Sequence, residues 1–107
     1  MAKTKHYRAE GVAELPEHGE RAVVYLVGEQ NKWAVQLRCP CGCGADIILN
    51  LLRDADPCWR YTMDAGKVTI SPSIRRVVGC KSHFFIVKGQ VKWARYQGRK
   101  RKWFFWW

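Results

Sequence analysis

The stretch "RAVVYLVGEQNKWAVQLRCPCGCGADIILNLL", residues 21–52, decides the fold. Its first part, "RAVVYLVG" (21–28), is rich in β-branched and aromatic residues and stops at Gly28. "KWAVQLR" (32–38) then alternates Trp33, Val35 and Leu37 with Lys32, Ala34 and Gln36. Both read as strands, and "GEQN" between them has the composition of a hairpin loop. "DIILNLL" (46–52) suits a buried strand or a short helix; its brevity and the glycines before it favour a strand. Between these runs lies "CPCGCG", three cysteines on alternate positions around a proline and two glycines.

Downstream the pattern repeats. "DADP" breaks the chain, and "CWRYTM" (58–63) and "KVTIS" (67–71) flank "DAG" as a second hairpin. "HFFIVK" and "VKWARY" around "GQ" form a third. Upstream, the first twenty residues carry no clean period and include Pro16 and Gly19, which suits a short strand or an extended arm followed by a turn. The expectation is a mostly β domain over residues 1–94, a small zinc-stabilised sheet or sandwich of six to eight short strands. A basic aromatic tail, 95–107, follows it.

At 107 residues the chain is one domain with a thin core, burying ~60–65% of the surface that the unfolded chain exposes. No apolar stretch approaches a membrane span, and the polar N-terminus lacks the h-region of a signal peptide, so a cytoplasmic location is expected. In that compartment thiols stay reduced, and an odd count of five cysteines fits a disulfide set poorly. The cysteines therefore read as metal ligands. Tetrahedral thiolates around zinc lie about 3.8 Å apart, whereas alternate positions on a flat strand are ~6.6 Å apart. The chain must curl, and Pro40, Gly42 and Gly44 are the residues that allow it. Cys39, Cys41, Cys43 and Cys80 are the expected ligands, with His83, three residues after Cys80, as the alternative. Five candidates for four places leave one of Cys43, Cys80 and His83 for other work. Cys58 reads as the thiol left out, a small buried hydrophobe.

Three blocks in order, "CPCGCG", "ISPSI" and "GCKSHFFIVKGQVKW", resemble the small cysteine-rich family known as BubE, encoded beside bacterial ubiquitin-like conjugation genes. The likeness covers roughly residues 21–94. It implies a zinc-bound fold working with a bacterial ubiquitin-like protein and its E1 and E2 enzymes, as a peptidase or deubiquitinase-like deconjugase.

A hydrolase of this kind needs a nucleophile, a base and oxyanion donors. His83, the one histidine outside the polar N-terminal segment, is the natural base if it is not on the metal. Ser73, placed by "SPSI" in a turn after Pro72, ranks first as nucleophile. Ser82 ranks behind it, because neighbours on a strand point to opposite faces and Ser82 adjoins His83. Asp64 is a candidate to orient the histidine, and backbone N–H groups of the glycine-rich cysteine loop are candidates for the oxyanion.

The formal charge is 19 − 9 = +10, and the tail "GRKRKWFFWW" joins four consecutive cations to five consecutive aromatics. Such an excess attracts acidic partners without naming them. It keeps open a second reading, a non-catalytic zinc-binding module that grips nucleic acid or an acidic protein through its basic surface.

Overall fold

The computed structural model describes residues 3–54, 57–75, 80 and 82–94. Eight strands form two four-stranded sheets. The first holds β1 (Arg8–Val12), β2 (Val23–Val27), β3 (Ala34–Arg38) and β4 (Asp46–Asn50), in that spatial order. The second is the antiparallel meander β5 (Arg60–Asp64), β6 (Lys67–Arg75), β7 (His83–Val87) and β8 (Gln90–Trp93). The mostly β expectation holds, at the upper end of its strand count. The tail, 95–107, lies outside the described residues, and so does everything expected of it.

Period-two alternation sends Leu26, Val35 and Leu37 inward from the first sheet to meet Ile70, Phe84 and Ile86 from the second in one core. β4 follows the same rule: Ile47 and Leu49 are buried while Ile48 between them is exposed. β2 is buried along its whole length. Its outward residues Val23, Tyr25 and Val27 pack with Ala34 and Val12. That outer face is covered because β1 runs parallel to β2, and a parallel neighbour requires a crossover rather than a hairpin. Residues 13–22 make that crossover. Tyr25 Oη accepts the Glu20 N–H at 2.9 Å, and Gln36 Nε2 donates to Pro16 O at 3.2 Å.

The N-terminal segment joins both sheets. His6 bridges Gln90, and Val91 N–H donates to Lys5 O at 2.9 Å, so the arm lines the edge of β8 before entering the first sheet as β1. Thr4 N–H also donates to Pro40 O at 2.8 Å, which brings the arm onto the cysteine loop.

One strand departs from the sequence reading. β6 continues to Arg75, four residues beyond the expected end at position 71, so "SPSI" lies within a strand rather than in a turn. The register explains how Pro72 is tolerated. Ile70 pairs with Ile86 and Ile74 with Phe84, so residues 71–73 occupy the space opposite Phe85 alone. This is a bulge, where a ladder hydrogen bond is already interrupted and proline costs little.

Candidate active site and metal centre

The bulge aims Ser73. Its Oγ lies 3.0 Å from His83 Nε2, a hydrogen bond between adjacent strands of the second sheet. Ser73 is buried, and its carbonyl accepts the Trp59 indole N–H at 3.2 Å, which fixes the bulged backbone from the β5 side. His83 opens β7 on the face opposite Phe84 and Ile86 and stacks beside Phe85, with ring centroids 6.1 Å apart. Burial, with a smaller contribution from the Arg75 guanidinium, holds the imidazole below its ordinary pKa. The ring is therefore neutral near pH 7 and able to accept a proton from the hydroxyl.

The thiols gather at the adjoining end of the sandwich. The cysteine loop is the β3–β4 connection, closed by the Arg38–Asp46 pair and by Cys39 N–H donating to Ala45 O at 2.8 Å. Gly42 and Gly44 adopt φ of 96° and 84°, the left-handed conformation that lets Cys41 and Cys43 fold back toward Cys39. Cys80, just ahead of β7, completes the group, and the four Sγ atoms lie within 4.8 Å of one another. Cys39 Sγ is 3.5 Å from both Cys41 Sγ and Cys80 Sγ. Those spacings match what four thiolates need around one tetrahedral cation, about 3.8 Å. The set fits a metal ion.

Proton chemistry points the same way. The Ser82 hydroxyl, 3.1 Å from Cys80 Sγ, pulls that thiol down to about 6. Cys41 is also lowered, Ser82 and the neighbouring thiols outweighing its own burial, whereas burial pushes Cys39 up to about 12. Thiols this close share their protons. The exposed edge gives them up first, the buried corner last, and a divalent cation would displace them all. Tyr7 lies beside the loop and donates its hydroxyl to Arg38 O; burial, then the charge of Cys39 and Cys41, hold that hydroxyl protonated.

Not every candidate joins a site. His83 lies against Ser73 and outside the group of four thiols. Ser82 faces Cys80 rather than His83, as alternation along the chain requires. Asp64 pairs with Lys67 at the start of β6, whereas His83 pairs with Arg75 at its end. Roughly 25 Å of strand separates them. The Asp64 carboxylate lies instead 3.6 Å from Lys88 Nζ, so it does not orient the histidine. Two loop amides proposed for an oxyanion are also engaged: Gly42 N–H donates to Cys39 O and Cys39 N–H to Ala45 O. Cys58 is half-buried rather than buried and stands outside the thiol group. Trp59 was missed as a site residue, since nothing in its spacing signals an indole reaching across to the next strand.

A family model described as "Bacterial ubiquitination-like system serine protease (BubE)" matches residues 11–94. The chain belongs to the BubE family. The match takes in the crossover, all five cysteines, the Ser73–His83 pair and every strand of the second sheet, and it stops before the basic tail. It begins ten residues earlier than the likeness seen in the sequence motifs, because the crossover and β1 carry no motif of their own. Comparisons with curated proteins and with solved structures return no match. As a BubE family member the chain is tied to a protease family of a bacterial ubiquitination-like system. No helix among the described residues is long and apolar enough to cross a membrane.

Proposed function

We propose that this protein is a serine peptidase that processes or deconjugates a bacterial ubiquitin-like protein, working beside the E1 and E2 enzymes of the same pathway. The observation that carries this reading is the 3.0 Å contact between Ser73 Oγ and His83 Nε2. The whole sequence contains three serines, Ser71, Ser73 and Ser82. Ser82 is turned to the thiols, and among the described contacts Ser73 alone meets a histidine nitrogen.

In this mechanism Ser73 Oγ attacks the acyl carbon of the scissile bond while its proton passes to His83 Nε2. His83 then returns that proton to the leaving amine, leaving an acyl group on Ser73. Water, deprotonated by the same imidazole, releases it. Arg75 contributes by keeping the resting imidazole neutral. The pair works without Asp64; Phe85, stacked beside the ring, limits its rotation.

Zinc is the cation that suits four thiolates in a redox-silent site. Cys39, Cys41, Cys43 and Cys80 would hold it. A full thiolate shell leaves no open position for a catalytic water, so its contribution is structural. It would clamp the β3–β4 loop to the entry of β7 and so set the position of His83.

The test uses a ubiquitin-like protein carrying a C-terminal extension as substrate, with a fluorophosphonate probe in parallel. Ser73→Ala is expected to abolish labelling and lower cleavage by at least about a thousandfold, the scale of losing a serine nucleophile. Zinc content should stay at one equivalent. Undiminished cleavage by Ser73→Ala, or labelling on another residue, overturns the assignment.

A further inference from the structure

A groove of about 540 Å³ lies against β5 and β6, closed on one side by Lys32, Leu51 and Arg53 of the first sheet's loops. Lys32, Arg53 and Arg60 contribute cations to its lining, Trp59 and Tyr61 contribute aromatic surface, and among the described residues no carboxylate lines it. Its floor leads to the nucleophile by two routes. Ser71, two residues before Ser73, lines the groove, and Trp59 donates its indole N–H to the Ser73 carbonyl.

β5 is an edge strand of the second sheet. The two-residue turn at Ala65 and Gly66, both at positive φ, makes Asp64–Lys67 a hydrogen-bonded pair. By alternation Thr62–Thr69 and Arg60–Ser71 are hydrogen-bonded too, so the amides of Tyr61 and Met63 face away from β6. Trp59 has the same parity. Its N–H indeed points outward, donating to Asn50 O at 2.8 Å. Beyond Trp59, the described residues supply no backbone partner for the outward groups of Tyr61 and Met63.

Taking Ser73 as the nucleophile, we propose that this groove binds an extended, acidic segment of the protein substrate as an added strand on β5, delivering its scissile bond to the bulge. Backbone pairing with Tyr61 and Met63 sets the register of the segment, and its carboxylates meet Arg53, Arg60 and Lys32. Lys32 is already held, its Nζ donating to Gly28 O at 2.7 Å, so it presents a fixed charge. Arg53 and Arg60 are exposed and bear most of the selectivity.

The experiment measures binding on the Ser73→Ala protein, so that cleavage plays no part. The probes are a fluorescein-labelled peptide alternating glutamate and valine, its lysine–valine counterpart, the glutamate peptide N-methylated at alternate residues, and labelled oligo(dT). The acidic peptide should bind roughly tenfold or more tightly than either peptide control, a difference of about 1.4 kcal/mol. The double variant Arg53→Glu/Arg60→Glu should reverse the charge preference and accept the lysine peptide, a gain that misfolding would not produce. Binding indifferent to peptide charge or to N-methylation overturns the proposal, as does tight oligo(dT) binding with no peptide binding. Fluorophosphonate labelling of the unmutated Ser73 reports separately on the nucleophile: a labelled serine with no acidic-peptide binding defeats the groove and leaves the peptidase reading intact.

Discussion

At the scale of single residues, His83 sets the pH behaviour. Its pKa is depressed by burial first and by the Arg75 charge second. Activity that needs a neutral imidazole rises with pH through that depressed value and then levels, so the acid limb of kcat/KM should fall below the ordinary histidine range near 6.5. Replacing Arg75 by Gln removes a cation that disfavours protonation. The limb should then move to higher pH, with burial keeping part of the depression; a limb that stays put would exclude Arg75 from the site. Cysteine variants separate ligand from bystander. Cys39→Ser should reduce bound metal well below one equivalent and lower the melting temperature, whereas Cys58→Ser should leave metal content unchanged, both read by elemental analysis and thermal denaturation. The gathering of Cys39, Cys41 and Cys43 was legible because proline and glycine spacers at 40, 42 and 44 announce a tight wrap, whereas Cys80 and His83 could be told apart only by the fold. Asp64 misled for the opposite reason: "DAG" reports its own turn and says nothing of what lies across the sheet.

At the scale of elements, the bulge in β6 deserves the next test. Residues 71–73 match the single position of Phe85, which keeps both Ile70 and Ile74 on the core side while turning Ser73 toward His83. Deleting Ser71 shortens the bulge by one residue and reverses the facing of everything after it. Arg75 would turn to the core and Ile74 to solvent. The deletion should destabilise the domain by about 2–5 kcal/mol, the scale of losing a buried isoleucine, and abolish fluorophosphonate labelling. Urea unfolding measures the first and gel fluorescence the second. No pattern in the sequence forecast the continuation of this strand past position 71. Pro72 interrupts the alternation and invites a turn, and only the pairing with β7 reveals that the chain continues. β1 was hidden likewise: "RAEGV" has little apolar character, and its place beside β2 depends on a crossover that follows no period. The hairpins at 64–67 and 87–90, by contrast, were readable from local turn chemistry.

For the whole molecule, the thiol group joins loops of both sheets, Cys39, Cys41 and Cys43 lying between β3 and β4 and Cys80 just ahead of β7, so a metal ion held there would cross-link them. One core serves both sheets, and Cys39 is part of it. Removing the metal with a chelator under reducing conditions should therefore melt both sheets together in one transition, followed by circular dichroism. Separate loss of one sheet, or no loss at all, would show that the core suffices. Phe84→Ala, at the centre of that core, should cost about 3–5 kcal/mol with metal still present.

The arm along β8 constrains how this protein is made. His6 meets Gln90 across 84 positions of chain (90 − 6), and Tyr7 N–H donates to Gly89 O at 2.7 Å. On the ribosome, Lys5, His6 and Tyr7 lack their backbone partners at 89–91 until nearly all of the β meander has been synthesised. Docking of that segment on β8 follows synthesis of the meander, and the edge it seals stays open to chaperones, or to neighbouring nascent chains, until then.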